Sequence, residues 1–238
     1  NDYEEKYCRG TDCAIRHLDI PNMYVPQHSD IDALPRMLAF IKDSKKFLYI
    51  KQVSIAHILN NQRDMRYITE LENALKRKVE VKLLFIDVDS EVAMMRSFCE
   101  HTHSNKEPKV ATYDTFKNFK KKDGTKLRHS LPMYDDTNNA IEAARALQNL
   151  HLNHLQFKIY YAAPDGAIIL NENFALFEPL HYGAKSLRKN ANGAKILSGE
   201  MPHIEFKRCD DDSENRGHGY EVIKSNFEFV WNHLSKYI

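Results

Sequence analysis

The sequence predicts an α/β fold, a mixed, mostly parallel central sheet with helices on both faces. Three observations predict it. Strand-type apolar runs alternate with amphipathic helix patterns from residue 30 to about 101, which is the rhythm of βαβ units. A second group of strand candidates crowds residues 155–208. The chain then closes on a helix with one continuous apolar face.

Residues 1–29 read as an irregular extension or linker, punctuated by Pro21 and Pro26, with CAIRHLDI as a short strand. Ser29-Asp30 is a helix-start signal. After it, Ile31, Leu34, Met37, Leu38 and Ile41 share one helical face, and Pro35 fits only in a first turn. FLYIKQV (47–53) is a strand of the buried type. An amphipathic helix follows over 62–77, then VEVKLLFIDV (79–88) as the clearest strand, and then a helix over 90–101. Part of 112–122 is helical by pattern, and a further helix runs over 135–150. Strands are predicted at 155–163, 166–171, 175–181 and 203–208, the first two joined by a hairpin turn at Pro164-Asp165-Gly166. Tyr220, Ile223, Phe227, Val230, Trp231 and Leu234 form the inner face of the closing helix. Six to seven strands are expected, in one domain over residues 30–238.

Composition narrows the function classes. With 42% hydrophobic and 28% charged residues the chain is globular rather than disordered. A net charge of +1 gives no global attraction to nucleic acid or membrane, so such affinity has to come from a local patch. No apolar run approaches the roughly 20 residues of a membrane span. The sequence opens on NDYEEKYCRG, without an initiator Met or a signal-type apolar stretch. That is the expectation for a piece of a longer protein with a neighbouring domain upstream. Cys8, Cys13, Cys99 and Cys209 are few and scattered, which suits a reducing, cytoplasmic setting. Cys8 and Cys13 as a pair or metal ligands compete with the simpler reading of two free thiols. The twelve histidines form no HExxH or CxxC-type set, and no metal or cofactor is expected.

The order of these elements resembles one half of the phospholipase D superfamily over residues 30–238. IKDSKKFLYIKQVSIAHIL is similar to the family's opening helix and strand, and LENALKRKVEVKLLFIDVDSEVAMMR to its second βα unit. FKIYYAAPDGAIILNENFALFEPLHYG is similar to the segment that carries the active-site signature, and FEFVWNHLSKYI to the closing helix. The resemblance implies metal-independent phosphoryl transfer by H-x-K-x4-D, with a histidine nucleophile and a phosphate-binding lysine. It also implies pairing of two halves across a cleft, hence a possible homodimer. With Asp165 as the family's Asp, the Lys position holds Tyr160 and the His position holds Lys158; with His154 as nucleophile, the Lys position holds Gln156. Both registers break the motif. The resemblance is therefore to degenerate domains of this family, which accompany DNA-binding or signalling modules in bacteria.

Four candidate sites follow. On the strand 155–163, alternation puts His154, Gln156, Lys158 and Tyr160 on one face, as either a wet ligand groove or a solvated edge. His181 and Lys185 bracket a Gly-containing loop that would face Ser54 and Asp87 beyond the strand carboxyl ends. Arg96 can pair with Asp87 or Asp89, or point at a phosphate. The basic run Lys117 to Arg128 carries Phe116 and Phe119, which suits nucleic acid, but an amphipathic helix with its lysines outside is the simpler reading. Ser54 with His57 lacks the G-x-S-x-G elbow of a hydrolase triad.

The function expected is a non-catalytic ligand-binding or sensor domain for a small anionic, nucleotide-like or phosphate-bearing ligand. His154, Lys158, Tyr160, His181, Lys185, Ser54, Asp87 and Arg96 would line it. The alternatives are a phosphodiesterase or nuclease using His154, Lys158 and Asp165, a nucleic-acid module using 117–128, and a dimerisation domain; no membrane role is expected.

Overall fold

A computed structural model describes residues 22–24, 33–60, 64–104, 116, 132–151, 153–162, 165–179, 182–183, 195–196, 203–208 and 218–238. In chain order these hold β1 (Asn22–Tyr24), α1 (Ala33–Asp43), β2 (Phe47–Lys51), α2 (Ala56–Leu59), α3 (Met65–Lys76), β3 (Glu80–Ile86), α4 (Glu91–Ser104) and α5 (Pro132–Leu150). Then come β4 (Leu155–Tyr160), β5 (Gly166–Asn171), β6 (Phe174–Pro179), β7 (Tyr182–Gly183), β8 (Lys195–Ile196), β9 (His203–Lys207), α6 (His218–His233) and β10 (Ser235–Lys236).

Eight strands form one mixed sheet in the order β1-β9-β6-β5-β2-β3-β4-β10, and β7 with β8 forms a separate ribbon. The βαβ rhythm correctly predicts β2 and β3 as parallel strands, and β4 joins them as a third parallel neighbour, paired with β3. The expectation of a mostly parallel sheet is corrected, because the other five pairings are antiparallel. The cause lies in β5. It does not fold back on β4 but pairs antiparallel with β2, so β2 and β3 separate β4 from β5. The predicted hairpin at Pro164-Asp165-Gly166 is therefore a crossover. The tight hairpin is the next one, β5 to β6, turned by Glu172 and Asn173. There the Asn171 side chain accepts hydrogen bonds from the backbone of Asn173 and Phe174, both at 3.0 Å, which is how Asn makes a turn.

Period-two alternation sorts the strands between two cores. Leu48 and Ile50 of β2, Val81, Leu83 and Phe85 of β3, and Leu155 and Phe157 of β4 face α1, α2, α3 and α5. Tyr49, Leu84, Ile86, Tyr160, Ile168 and Leu170 face α6 and the start of α4, with Phe227 and Trp231 above them. Helices thus cover both faces, as predicted. Lys51, Lys82 and Lys158 all fall on the α6 face, and of the three Lys51 is buried.

Candidate ligand site at the strand carboxyl ends

Because β2, β3 and β4 are parallel, their carboxyl ends open at one edge, where Lys51, Ile86 and Tyr160 are the last residues. The Asp87 N–H donates to the Tyr160 carbonyl at 2.7 Å and locks that edge. From Tyr160 the chain crosses to Gly166, at the start of β5, and this brings Asp165 over Lys51. Lys51 Nζ lies 2.5 Å from Asp165 Oδ1 and donates to Asn226 Oδ1 at 2.8 Å. Asn226 Nδ2 donates to Asp165 Oδ2 at 3.0 Å, which closes a triangle. Asn226 is held there by α6, whose inner face (Tyr220, Phe227, Val230, Trp231) is buried in the sheet.

The triangle is asymmetric. The Lys51 side chain is 2% exposed and that of Asp165 is 46%. Burial pushes the Lys51 ammonium below its ordinary value, and the Asp165 carboxylate pulls it part of the way back. Tyr160 lies alongside. It is 1% exposed, and its hydroxyl has no hydrogen-bond partner among the described residues. Burial raises its phenol far above the ordinary value, the charge of Asp165 raises it further, and Arg96 opposes both. Arg96, on α4, is itself buried. The edge also holds a strained backbone. Ile55, fully buried just before α2, has φ 54°, a left-handed conformation that is an outlier for a β-branched residue.

Several sequence-predicted residues meet at this edge. Asp87, Tyr160 and Arg96 are there with Asp165. Asp87 accepts from the Asp89 N–H at 3.0 Å and lies 3.7 Å from Lys236 Nζ. Ser54, three residues beyond Lys51 and half-buried, accepts a long bond from the Ala56 N–H at 3.4 Å.

Other predicted residues do not join it. His154 precedes β4 and its carbonyl accepts from Val81 at 2.7 Å, so it stands at the opposite edge. Tyr160 lies six residues further along the strand, about 20 Å away at the usual rise. The set His154, Lys158 and Asp165 is therefore not assembled. Lys158 turns to α6, where its Nζ donates to the Trp231 carbonyl at 2.9 Å and sits 4.6 Å from the Trp231 ring centroid and 4.5 Å from that of Tyr237. It caps the aromatic stack Tyr49–Phe227–Trp231 instead of lining a groove. His181, Lys185 and the basic run 117–128 lie outside the described residues. Phe116 is buried, with its ring centroid 5.6 Å from that of Phe98, in keeping with an inner helical face at that position.

The sequence reading missed Lys51 and Asn226. A signal for Lys51 existed, namely a lysine inside the apolar run FLYIKQV, since lysine is almost never fully buried without a partner. Asn226 had none, because its role depends on how α6 lies across the sheet. Among the described residues no group of three or more His, Cys, Asp or Glu is placed to hold a metal ion, and no helix is long and apolar enough to cross a membrane.

No family model matches the chain, and no curated protein matches it. Among solved structures it is similar to Nuc from Salmonella typhimurium, a phospholipase D family member, at 9% identity and TM-score 0.43, over 91% of this chain and 96% of that one. NucT from Helicobacter pylori is similar at 13% identity and TM-score 0.41, over 91% and 98%. TrmBL2, an archaeal chromatin protein whose structure shows a novel mode of DNA binding, is similar at 8% identity and TM-score 0.41, over 86% of this chain. The chain spans about half the length of TrmBL2, covering 50% of it.

Chemically, the edge offers a desolvated ammonium, a carboxamide and an unpaired hydroxyl. Asp165 occupies the cationic position with its own carboxylate. An external anion that displaces it inherits the Lys51 ammonium and the Asn226 side chain.

Proposed function

We propose that this chain is a non-catalytic, phospholipase D-like ligand-binding domain that takes a small anionic or phosphate-bearing ligand at the carboxyl ends of β2, β3 and β4. The observation that carries this reading is the buried Lys51 held by Asp165 and Asn226. A charge at 2% exposure is costly, and it is retained where a partner compensates it. The unpaired Tyr160 hydroxyl beside it supports a site that awaits a further acceptor. The non-catalytic part rests on the chemistry of the set. In Lys51, Asp165 and Asn226 the carboxylate is tied up by the ammonium and the carboxamide, and an ammonium lacks the lone pair a nucleophile needs.

Inorganic pyrophosphate, titrated while the fluorescence of Trp231 is followed, tests this directly. Trp231 is the only tryptophan of the chain and lies in the aromatic stack of α6. Saturable binding is expected in the wild type. It should be lost in Lys51→Met, and should tighten in Asp165→Ala, where the internal competitor is gone. With bis-p-nitrophenyl phosphate and EDTA the protein should show no turnover. Chelator-resistant turnover, or binding indifferent to Lys51→Met, would overturn the proposal.

A further inference from the structure

The group that already occupies the Lys51 site is a carboxylate, and the way it is held is specific. Lys51 Nζ grips Oδ1 of Asp165 and Asn226 Nδ2 grips Oδ2, at 2.5 and 3.0 Å. The two oxygens of one planar group are thus taken by two different donors. The carboxamide cannot turn over. Its Oδ1 accepts from Lys51 Nζ at 2.8 Å, so its NH2 is committed to the carboxylate. A flipped Asn226 would set its NH2 against the ammonium and its oxygen against the carboxylate, with two repulsions in place of two bonds.

The unequal burial of the pair permits exchange. The Asp165 side chain is 46% exposed, so water receives its carboxylate readily once it turns away. Lys51, at 2%, has no such outlet, and a charge left there without a partner is costly. Asp165 therefore leaves only as another anion arrives. The exchange is a turn of its side chain, because Gly166 anchors the main chain beside it: a Cβ there would lie 2.1 Å from the Phe177 ring. The charge to be matched is one. Lys236 is paired with Asp87, and Arg96 has an interaction of its own, so Lys51 is the cation that the incoming group meets. A second negative charge would enter a poorly solvated place without a counter-ion.

We infer that the ligand of this site is a small monocarboxylate, bound with one oxygen on Lys51 Nζ and the other on Asn226 Nδ2, in the place of the Asp165 carboxylate. The inference narrows the class of anion and rests on the reading of this edge as a ligand site. A planar group with two oxygens and one charge reproduces both bonds and leaves the pair neutral. A phosphate group is tetrahedral and carries more charge. Even with the buried Tyr160 hydroxyl as a third donor, that extra charge stays unmatched. The remainder of the ligand points outward, through the exposed position that the Asp165 side chain gives up.

The probes are acetate, its neutral isostere acetamide, and inorganic pyrophosphate. Each is titrated at constant ionic strength into the full chain and into Asp165→Ala, Asp165→Asn and Asn226→Ala, with Trp231 fluorescence and the melting midpoint as readouts. Acetate should bind the wild type at least about tenfold tighter than pyrophosphate, and acetamide should not bind. In Asp165→Ala acetate fills the place of the missing carboxylate. It should restore the lost melting midpoint saturably, which acetamide should fail to do. Asp165→Asn keeps the shape and removes the charge, so it serves the same comparison if the Ala variant does not fold; acetate should bind it tighter than the wild type. Asn226→Ala loses the grip on the second oxygen, and the advantage of acetate over pyrophosphate should fall by about tenfold. Pyrophosphate as tight as acetate, acetamide as effective as acetate, or an advantage unchanged in Asn226→Ala overturns the inference and leaves an anion site standing. Failure of both anions to saturate the wild type and the Asp165 variants overturns the ligand site itself.

Discussion

A lysine with almost no solvent contact is stable in this fold because Asp165 and Asn226 reach it from elements that meet only in the folded chain. His203 is held by the opposite means. It is 8% exposed on β9, and burial drives its imidazole down to about 4. Glu178 lies 3.4 Å from its Nε2, too far for a strong charge-assisted bond, so desolvation dominates. The unfolded chain binds a proton near pH 6.5 that the folded chain refuses until about pH 4. Stability attributable to His203 is thus complete above pH 6.5 and falls as the pH drops through that window. The wild type should lose about 2 kcal/mol between pH 7 and pH 5 relative to His203→Gln, as measured by urea unfolding at both values. Residue-level legibility was uneven for a physical reason. Tyr160, Asp87, Arg96 and Asp165 belong to or flank elements with clear periodicity, so their edge of the sheet could be inferred. The partnering of Lys51 with Asp165 spans 114 residues and leaves no local trace.

At the scale of elements, the C-terminus of α3 shows how a local rule is met with an imperfect residue. Arg77 is the last near-helical residue, the Lys78 N–H donates to the Leu75 carbonyl at 2.9 Å, and the Val79 N–H donates to the Ala74 carbonyl at 3.1 Å. This is a Schellman closure, with Lys78 in the left-handed position at φ 67°. Glycine adopts that conformation without strain. Lys78→Gly should therefore stabilise the protein by about 1 kcal/mol, read as a raised denaturant midpoint at unchanged slope. Helices and strands were legible from their periods, including α3, expected over 62–77 and found over Met65–Lys76. The pairing of β5 was not. Pro-Asp-Gly between two apolar runs reads as a hairpin from local turn chemistry. The actual partner of β5 is chosen by burial, because β5 is buried on both faces and gains a central place between β2 and β6.

For the whole molecule, β2 is a rod with lysines at both ends. Lys45 and Lys46 precede it, and Lys51 ends it in the paired cluster. The two ends share no side chain. The stability changes of Lys51→Met and Arg208→Glu should accordingly add to within about 0.5 kcal/mol in the double variant, by thermal or urea unfolding. A coupling beyond 1 kcal/mol would mean that strain passes along β2. The two-faced architecture was readable from the alternation of strands and helices. The chemical difference between the two ends was not, because it arises from which turns the sheet order brings side by side.

The seat of β5 beside β2 also bears on how the chain reaches this state. β2 is hydrogen-bonded to β5 through Leu48–Asn171 and Tyr49–Leu170, residues about 120 apart in sequence. During synthesis, β2, β3 and the helices between them emerge long before that partner exists. One backbone edge of a strongly apolar strand therefore stays open through much of translation. Non-local pairing of this kind is slow to nucleate and leaves a template for association in the meantime. The stretch of chain most exposed to misassembly is thus FLYIK itself, a strand that the finished fold buries at its centre.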